Sequence, residues 1–159
     1  MKYLELAQKH NLPRMASIQN EFGLLDRHDD PYVAEVCVRE EVAYLPWSPL
    51  GGGMLAGKYA NGARPAGARW TVDPRTPHRD TPAAHAAVAG YIGVAKKHGL
   101  DVCQMGIAFC RQQNFVTSTI IGATSMEQLK TNIAAGQLTL SADVLKDIDA
   151  VYRQYPMPF

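Results

Sequence analysis

The chain has 159 residues, 47% of them hydrophobic and 19% charged, with a formal net charge of +1 at pH 7. That length supports one core, so a single domain over 1–159 is expected. The near-neutral balance gives no field that would draw nucleic acid or an acidic partner, and no apolar run approaches the roughly 20 residues of a membrane span.

The opening segment, with Leu4, Leu6 and Ala7 on one side, predicts a helix that stops at Asn11-Leu12-Pro13. Met15 to Gln19 reads as a short strand. Asp30-Pro31 predicts a second helix start, with a cap and a proline at the first position. Tyr32, Val33, Val36 and Cys37 supply that helix with its apolar face. Val42 to Leu45 reads as a second strand, ending at Pro46-Trp47-Ser48-Pro49. From 51 to 80, glycine, proline and arginine dominate without a period, so a long loop is expected, and long loops in compact domains are usually functional or disordered. Thr81-Pro82 caps a helix to about His98, and Asp101 caps another to about Gln113. Val116 to Ile121 predicts a third, buried strand. Ser125-Met126-Glu127-Gln128 is a capping box opening a helix to about Ala135. Ser141 caps a last helix ending near Tyr155.

Strands alternating with helices imply an α/β fold with parallel strands. A polar or glycine-rich cluster follows each strand: Gln19-Asn20, Ser48 to Gly53, and Gly122 to Ser125. In parallel α/β folds the carboxyl ends of the strands carry the site, so the three clusters should share one rim. Free N–H groups at the helix after Gly122 suit an anion. Gly51, Gly52 and Gly53 would let backbone N–H groups approach phosphate closely. Lys58 and Arg69, downstream in the loop, could add charge. Together the clusters suit a dinucleotide with several phosphates.

The three cysteines, Cys37, Cys103 and Cys110, form no C-x-x-C pair, so no disulfide scaffold or metal site is expected and a reducing cytoplasm is the default. His10, His28, His78, His85 and His98 read as helix or loop histidines without a carboxylate partner.

Three linked segments carry a family resemblance. Ser17 to Arg27 (SIQNEFGLLDR), Trp47 to Tyr59 (WSPLGGGMLAGKY) and Thr119 to Asn132 (TIIGATSMEQLKTN) resemble the strand-six, strand-seven and strand-eight segments of aldo-keto reductases. The match is most similar to the Tas-like bacterial branch, which also resembles potassium-channel β-subunits. The resemblance implies a partial (β/α)8 TIM barrel: about the last three βα units plus carboxy-terminal helices. It implies NADP as cofactor. Gln19 would bond the nicotinamide carboxamide and Phe22 would stack on its ring. Trp47, Ser48, Pro49, Leu50 and Gly51 would line ribose and pyrophosphate. Lys58 and Arg69 would meet phosphate or adenine, with Arg64 competing with Arg69 for that place. Gly122, Thr124 and Ser125 would hold the adenosine phosphate, with Gln128 and Asn132 at adenine or its phosphate.

The family's catalytic Asp, Tyr, Lys and His belong to its first half, so no residue here is expected to do the chemistry. Reduction of a small aldehyde or ketone would need that half supplied. Unpaired strand edges would then favour homo-oligomers. The alternative implied by the same resemblance is a non-catalytic nucleotide-binding or interaction module.

Overall fold

The computed structural model describes residues 2–73 and 77–159. Helix α1 (Lys2–Lys9) buries Leu4 and Ala7 and stops at Asn11, whose φ of 50° takes the left-handed turn anticipated there. Strand β1 (Ser17–Ile18), helix α2 (Val33–Arg39) and strand β2 (Ala43–Tyr44) follow. β1 and β2 pair in parallel, Ser17 opposite Ala43 and Ile18 opposite Tyr44. Helix α3 (Arg69–Val72) lies within the long loop. The carboxy-terminal part comprises α4 (Pro82–Lys97), α5 (Val102–Arg111), α6 (Met126–Ala134) and α7 (Ala142–Gln154).

The helix starts largely follow the sequence. Thr81 accepts from the Ala84 N–H at 3.0 Å, Asp101 from Gln104 at 2.9 Å, Ser125 from Gln128 at 3.2 Å and Ser141 from Val144 at 3.4 Å. Each side chain satisfies a donor that the first helical turn leaves free. The expected cap at Asp30 does not form. Arg27 takes the Asp30 carboxylate at 2.6 Å, and α2 begins three residues later without a side-chain cap. Arg27 also lies over the rings of Phe109 and Tyr152, tying the β1–α2 connection to α5 and α7.

The third strand is shorter and more open than expected. Val116 makes one parallel bridge to Tyr44, the Thr117 N–H donates to Tyr44 O at 2.9 Å, and the Ile120 N–H donates to Pro46 O at 2.8 Å. Thr117, Ser118 and Ile120 are exposed, so the segment is not a buried strand. Burial of a parallel strand needs cover on both faces and a neighbour on each side. Among the described residues no strand pairs with the outer edges of β1 or of this segment.

The loop over 51–80 is not featureless: it holds single turns at Gly51–Gly53, Ala60–Gly62 and Pro77–Arg79 besides α3. Residues 74–76 of that loop lie outside the described residues. The core joins the strands to the helices. Phe22, Tyr44, Phe109 and Phe115 form an aromatic cluster with ring centroids 5.1–6.2 Å apart. Helices α4 and α7 pack closely, and α5 presses on the loop: a Cβ on Gly106 would stand 2.5 Å from Leu55 Cδ2. No helix among the described residues is long and apolar enough to cross a membrane.

Candidate functional site

β1, β2 and the segment after Val116 run in the same direction, so their carboxyl ends open on one rim. The ladder continues past β1 and β2: the Trp47 N–H donates to Asn20 O at 2.9 Å, and the Phe22 N–H donates to Trp47 O at 3.3 Å. Gln19, exposed, directly follows β1 and precedes Asn20, which accepts from Trp47. The Asn20 amide donates to Asp29 at 2.7 Å, and the buried Tyr44 hydroxyl donates to the same carboxylate oxygen at 2.6 Å. Burial, and after it the bond to Asp29, pushes the Tyr44 hydroxyl well above its ordinary pKa of 10. It therefore stays a donor at any ordinary pH and holds the end of β1 against β2. No local spacing of Asn20, Asp29 and Tyr44 points to this network, which only folding assembles.

Beyond β2 the backbone turns through four positive φ values: Ser48 at 56°, Gly51 at 56°, Gly52 at 67° and Gly53 at 89°. Glycine takes these angles without the Cβ penalty other residues meet, which explains a run of three here. The two cations singled out in the sequence converge on this turn. A Cβ on Gly53 would stand 2.9 Å from Lys58 Cε and 3.0 Å from its Nζ, and one on Gly52 would stand 3.9 Å from Arg69 Cδ. Arg64 is engaged elsewhere: it pairs with Asp80 and lies 5.5 Å over the Trp70 ring. The competition between Arg64 and Arg69 for the turn is thereby decided by Asp80, whose carboxyl His85 and Arg64 hold below its ordinary value of 3.8. Trp70 stacks on Tyr59 at 4.2 Å with ring planes 4° apart, and Lys58 Nζ sits 5.4 Å over the Tyr59 ring.

At the start of α6, Gly122, Thr124 and Ser125 are exposed. The Gln128 side-chain oxygen accepts from the Thr124 N–H at 3.0 Å and from its hydroxyl at 3.2 Å, closing the capping box one residue early. Asn132, only 5% exposed, donates to Gly122 O at 3.1 Å. Through one amide N–H it staples the strand end to the helix. Pro49 and Gly51 are buried, Ser48 and Leu50 half-buried, and Leu50 packs near Gly106 of α5.

Phe22 stands apart from the other candidates. It is fully buried, at 0% exposure, inside the aromatic cluster, and offers no face to the rim. The aromatic ring open at the rim is Trp47, 39% exposed. Three histidines found carboxylates the sequence did not suggest: His28 with Asp26 at 2.8 Å, His85 with Asp80 at 2.7 Å and His98 with Asp147 at 2.6 Å. The His98 partner lies 49 residues away, so only folding brings the two together. All three cysteines are free, Cys37 and Cys110 buried and Cys103 partly so, and burial raises each thiol, Cys103 to about 11 and Cys110 to about 12, which suits inert residues.

A model described as the aldo/keto reductase family matches residues 1–153. The chain is similar to Protein tas of Escherichia coli (strain K12), with 51% identity over 158 residues that make up 99% of this chain and 46% of that protein. Protein tas of Shigella flexneri matches to the same extent. A rice protein (Oryza sativa subsp. japonica) named "Probable voltage-gated potassium channel subunit beta" is 31% identical over 157 residues, covering 87% of this chain and 44% of its own length. The chain thus spans about half the length of the curated relatives it matches.

Proposed function

The chain belongs to the aldo/keto reductase family, and on that premise we propose that it is the NADP(H)-binding half of a carbonyl reductase, made of the last three βα units of a (β/α)8 barrel. Family membership brings with it oxidoreductase chemistry with a nicotinamide cofactor on carbonyl substrates. The observation that carries the finer reading is the convergence of Lys58 and Arg69 on the three positive-φ glycines at the carboxyl end of β2.

Two cations beside a turn without side chains of its own suit a pyrophosphate, although the Gly51 and Gly53 N–H groups already donate to Ser48 O and Leu50 O. The exposed first turn of α6, with Gly122, Thr124 and Ser125, suits a further phosphate. Gln128 keeps its amide N–H₂ group for adenine or phosphate while its oxygen serves the cap. Asn132 acts by fixing Gly122 rather than by touching a ligand. Gln19 holds the carboxamide from the end of β1. The aromatic role passes from Phe22 to Trp47, because a ring with no exposed face cannot lie against a ligand. A bound nicotinamide would supply hydride to a carbonyl carbon. The family's Asp, Tyr, Lys and His have no counterpart among these segments, so turnover needs a first barrel half to protonate the carbonyl oxygen.

Fluorescence titration of the 159-residue chain with NADPH tests the reading. Saturable binding, weakened about tenfold by Lys58→Ala and less by Gln128→Ala, is expected, since a hydrogen bond to a charged group contributes roughly 1.5–3 kcal/mol. Failure to saturate would remove it. The second reading, a non-catalytic nucleotide-binding or interaction module, draws on the name of the rice relative. Adding a matching first half in trans separates the two: carbonyl reduction favours the enzyme, and binding without turnover favours the module.

A further inference from the structure

Trp70 is 5% exposed, and its indole Nε1 is a buried donor without a hydrogen-bond partner. Leaving such a group unsatisfied costs roughly 1–3 kcal/mol, so an orphan of this kind calls for an explanation. Its surroundings supply one. The ring is locked face to face on Tyr59, its backbone N–H reaches the Tyr59 hydroxyl at 3.4 Å, and the Arg64 guanidinium lies 5.5 Å from the ring centroid. The Nε1 edge is the part of the ring turned to the glycine turn: it would stand 3.6 Å from a Cβ on Gly52. Arg69 Cδ flanks the same point, and the Arg69 side chain is exposed and long enough to swing aside.

We infer that the Trp70 indole N–H is a ligand donor, completing with Lys58 and Arg69 a cradle for a phosphate group over Gly51–Gly53. The inference rests on the nucleotide reading above and adds to it a residue that the sequence motifs left out. An indole N–H is a donor that never ionises, and here the aromatic stack holds it in place before any ligand arrives. Two kinds of donor then meet one anion: a fixed indole and two mobile cations, since the Gly51 and Gly53 N–H groups are already taken up by Ser48 O and Leu50 O. The adjacent glycines matter because any side chain at Gly52 would fill the space between Nε1 and the anion.

The test is a ¹⁵N–¹H spectrum of the full chain, in which Trp47 and Trp70 give two indole cross-peaks that Trp47→Phe assigns. Inorganic pyrophosphate and NADPH are titrated separately. The expected result is a saturable shift of the Trp70 peak with both, and about tenfold weaker binding in Trp70→Phe, which keeps a ring against Tyr59 but loses the donor. If NADPH binds while the Trp70 peak stays still, the inference is overturned and the nucleotide reading survives. If pyrophosphate moves the Trp70 peak but NADPH neither binds nor competes, the anion cradle stands and the nucleotide reading falls. If neither ligand binds, both are wrong. The wild-type spectrum decides the matter even where Trp70→Phe folds poorly.

Discussion

At the scale of single residues, burial separates the two aromatics of the strand-end segments, Phe22 and Trp47. Phe22 closes the core between Tyr44, Phe109 and Phe115, whereas Trp47 faces the rim. Phe22→Ala should therefore lower stability by about 3–5 kcal/mol, the usual cost of truncating a core phenylalanine, as read from urea unfolding. Trp47→Ala should leave the unfolding midpoint nearly unchanged and weaken NADPH binding. A reversed pattern would return the ligand-facing role to Phe22. Asp147 offers a test in pH. Lys97 first, and then His98, hold its carboxyl below the ordinary 3.8. A depressed folded-state value means that the pairing stabilises above pH 3.8 and fades as pH falls through the folded value. Asp147→Asn should thus reduce the loss of stability between neutral and acid pH, with a small effect because the group is solvent-facing. An acid limb identical to that of the parent chain would exclude this contribution.

Among the elements, the helix starts were plainest in the sequence and the strands least plain. A cap needs only a Ser, Thr or Asp three residues before the N–H it serves, and Thr81, Asp101, Ser125 and Ser141 all meet that condition. Asp30 met it too, but lost its carboxylate to Arg27, a competitor that spacing alone does not rank. Loss of the Ser125 cap by Ser125→Ala should cost about 1 kcal/mol in thermal unfolding and also weaken any anion bound at α6. Closer packing is decided by α5. Gly106 faces Leu55, Leu50 and Pro49, and a side chain there would push the glycine turn outward. Gly106→Val should cost about 1–3 kcal/mol through overpacking and reduce nucleotide affinity at the same time. If stability falls and affinity does not, the turn is not positioned by α5.

For the whole molecule, the open sheet is the dominant fact. β1 and the 116–121 segment each present backbone donors and acceptors with no strand beyond them among the described residues. Such edges are templates for pairing with another chain. Leu12, Met15 and Ile120 add exposed apolar surface along or beside those two edges. The 17.4 kDa chain should accordingly run in light scattering as a concentration-dependent oligomer, and a matching first barrel half should displace that self-association. A strictly monomeric chain with a sharp melting transition would show that the edges are not adhesive.

The sequence by itself determined the order of the longer helices and of β1 and β2, the caps at Thr81, Asp101, Ser125 and Ser141, and the parallel direction, because each depends on residues close together in the chain. It also marked Lys58 and Arg69 as a pair. Only the tertiary structure decided that Arg64 belongs to Asp80, that Phe22 is core and Trp47 is rim, and that Asn132 serves Gly122. It alone exposed Trp70, which reads in the sequence as one aromatic in a loop of glycine, proline and arginine. Burial and unmet hydrogen bonds arise between segments far apart in the chain, and no local pattern encodes them.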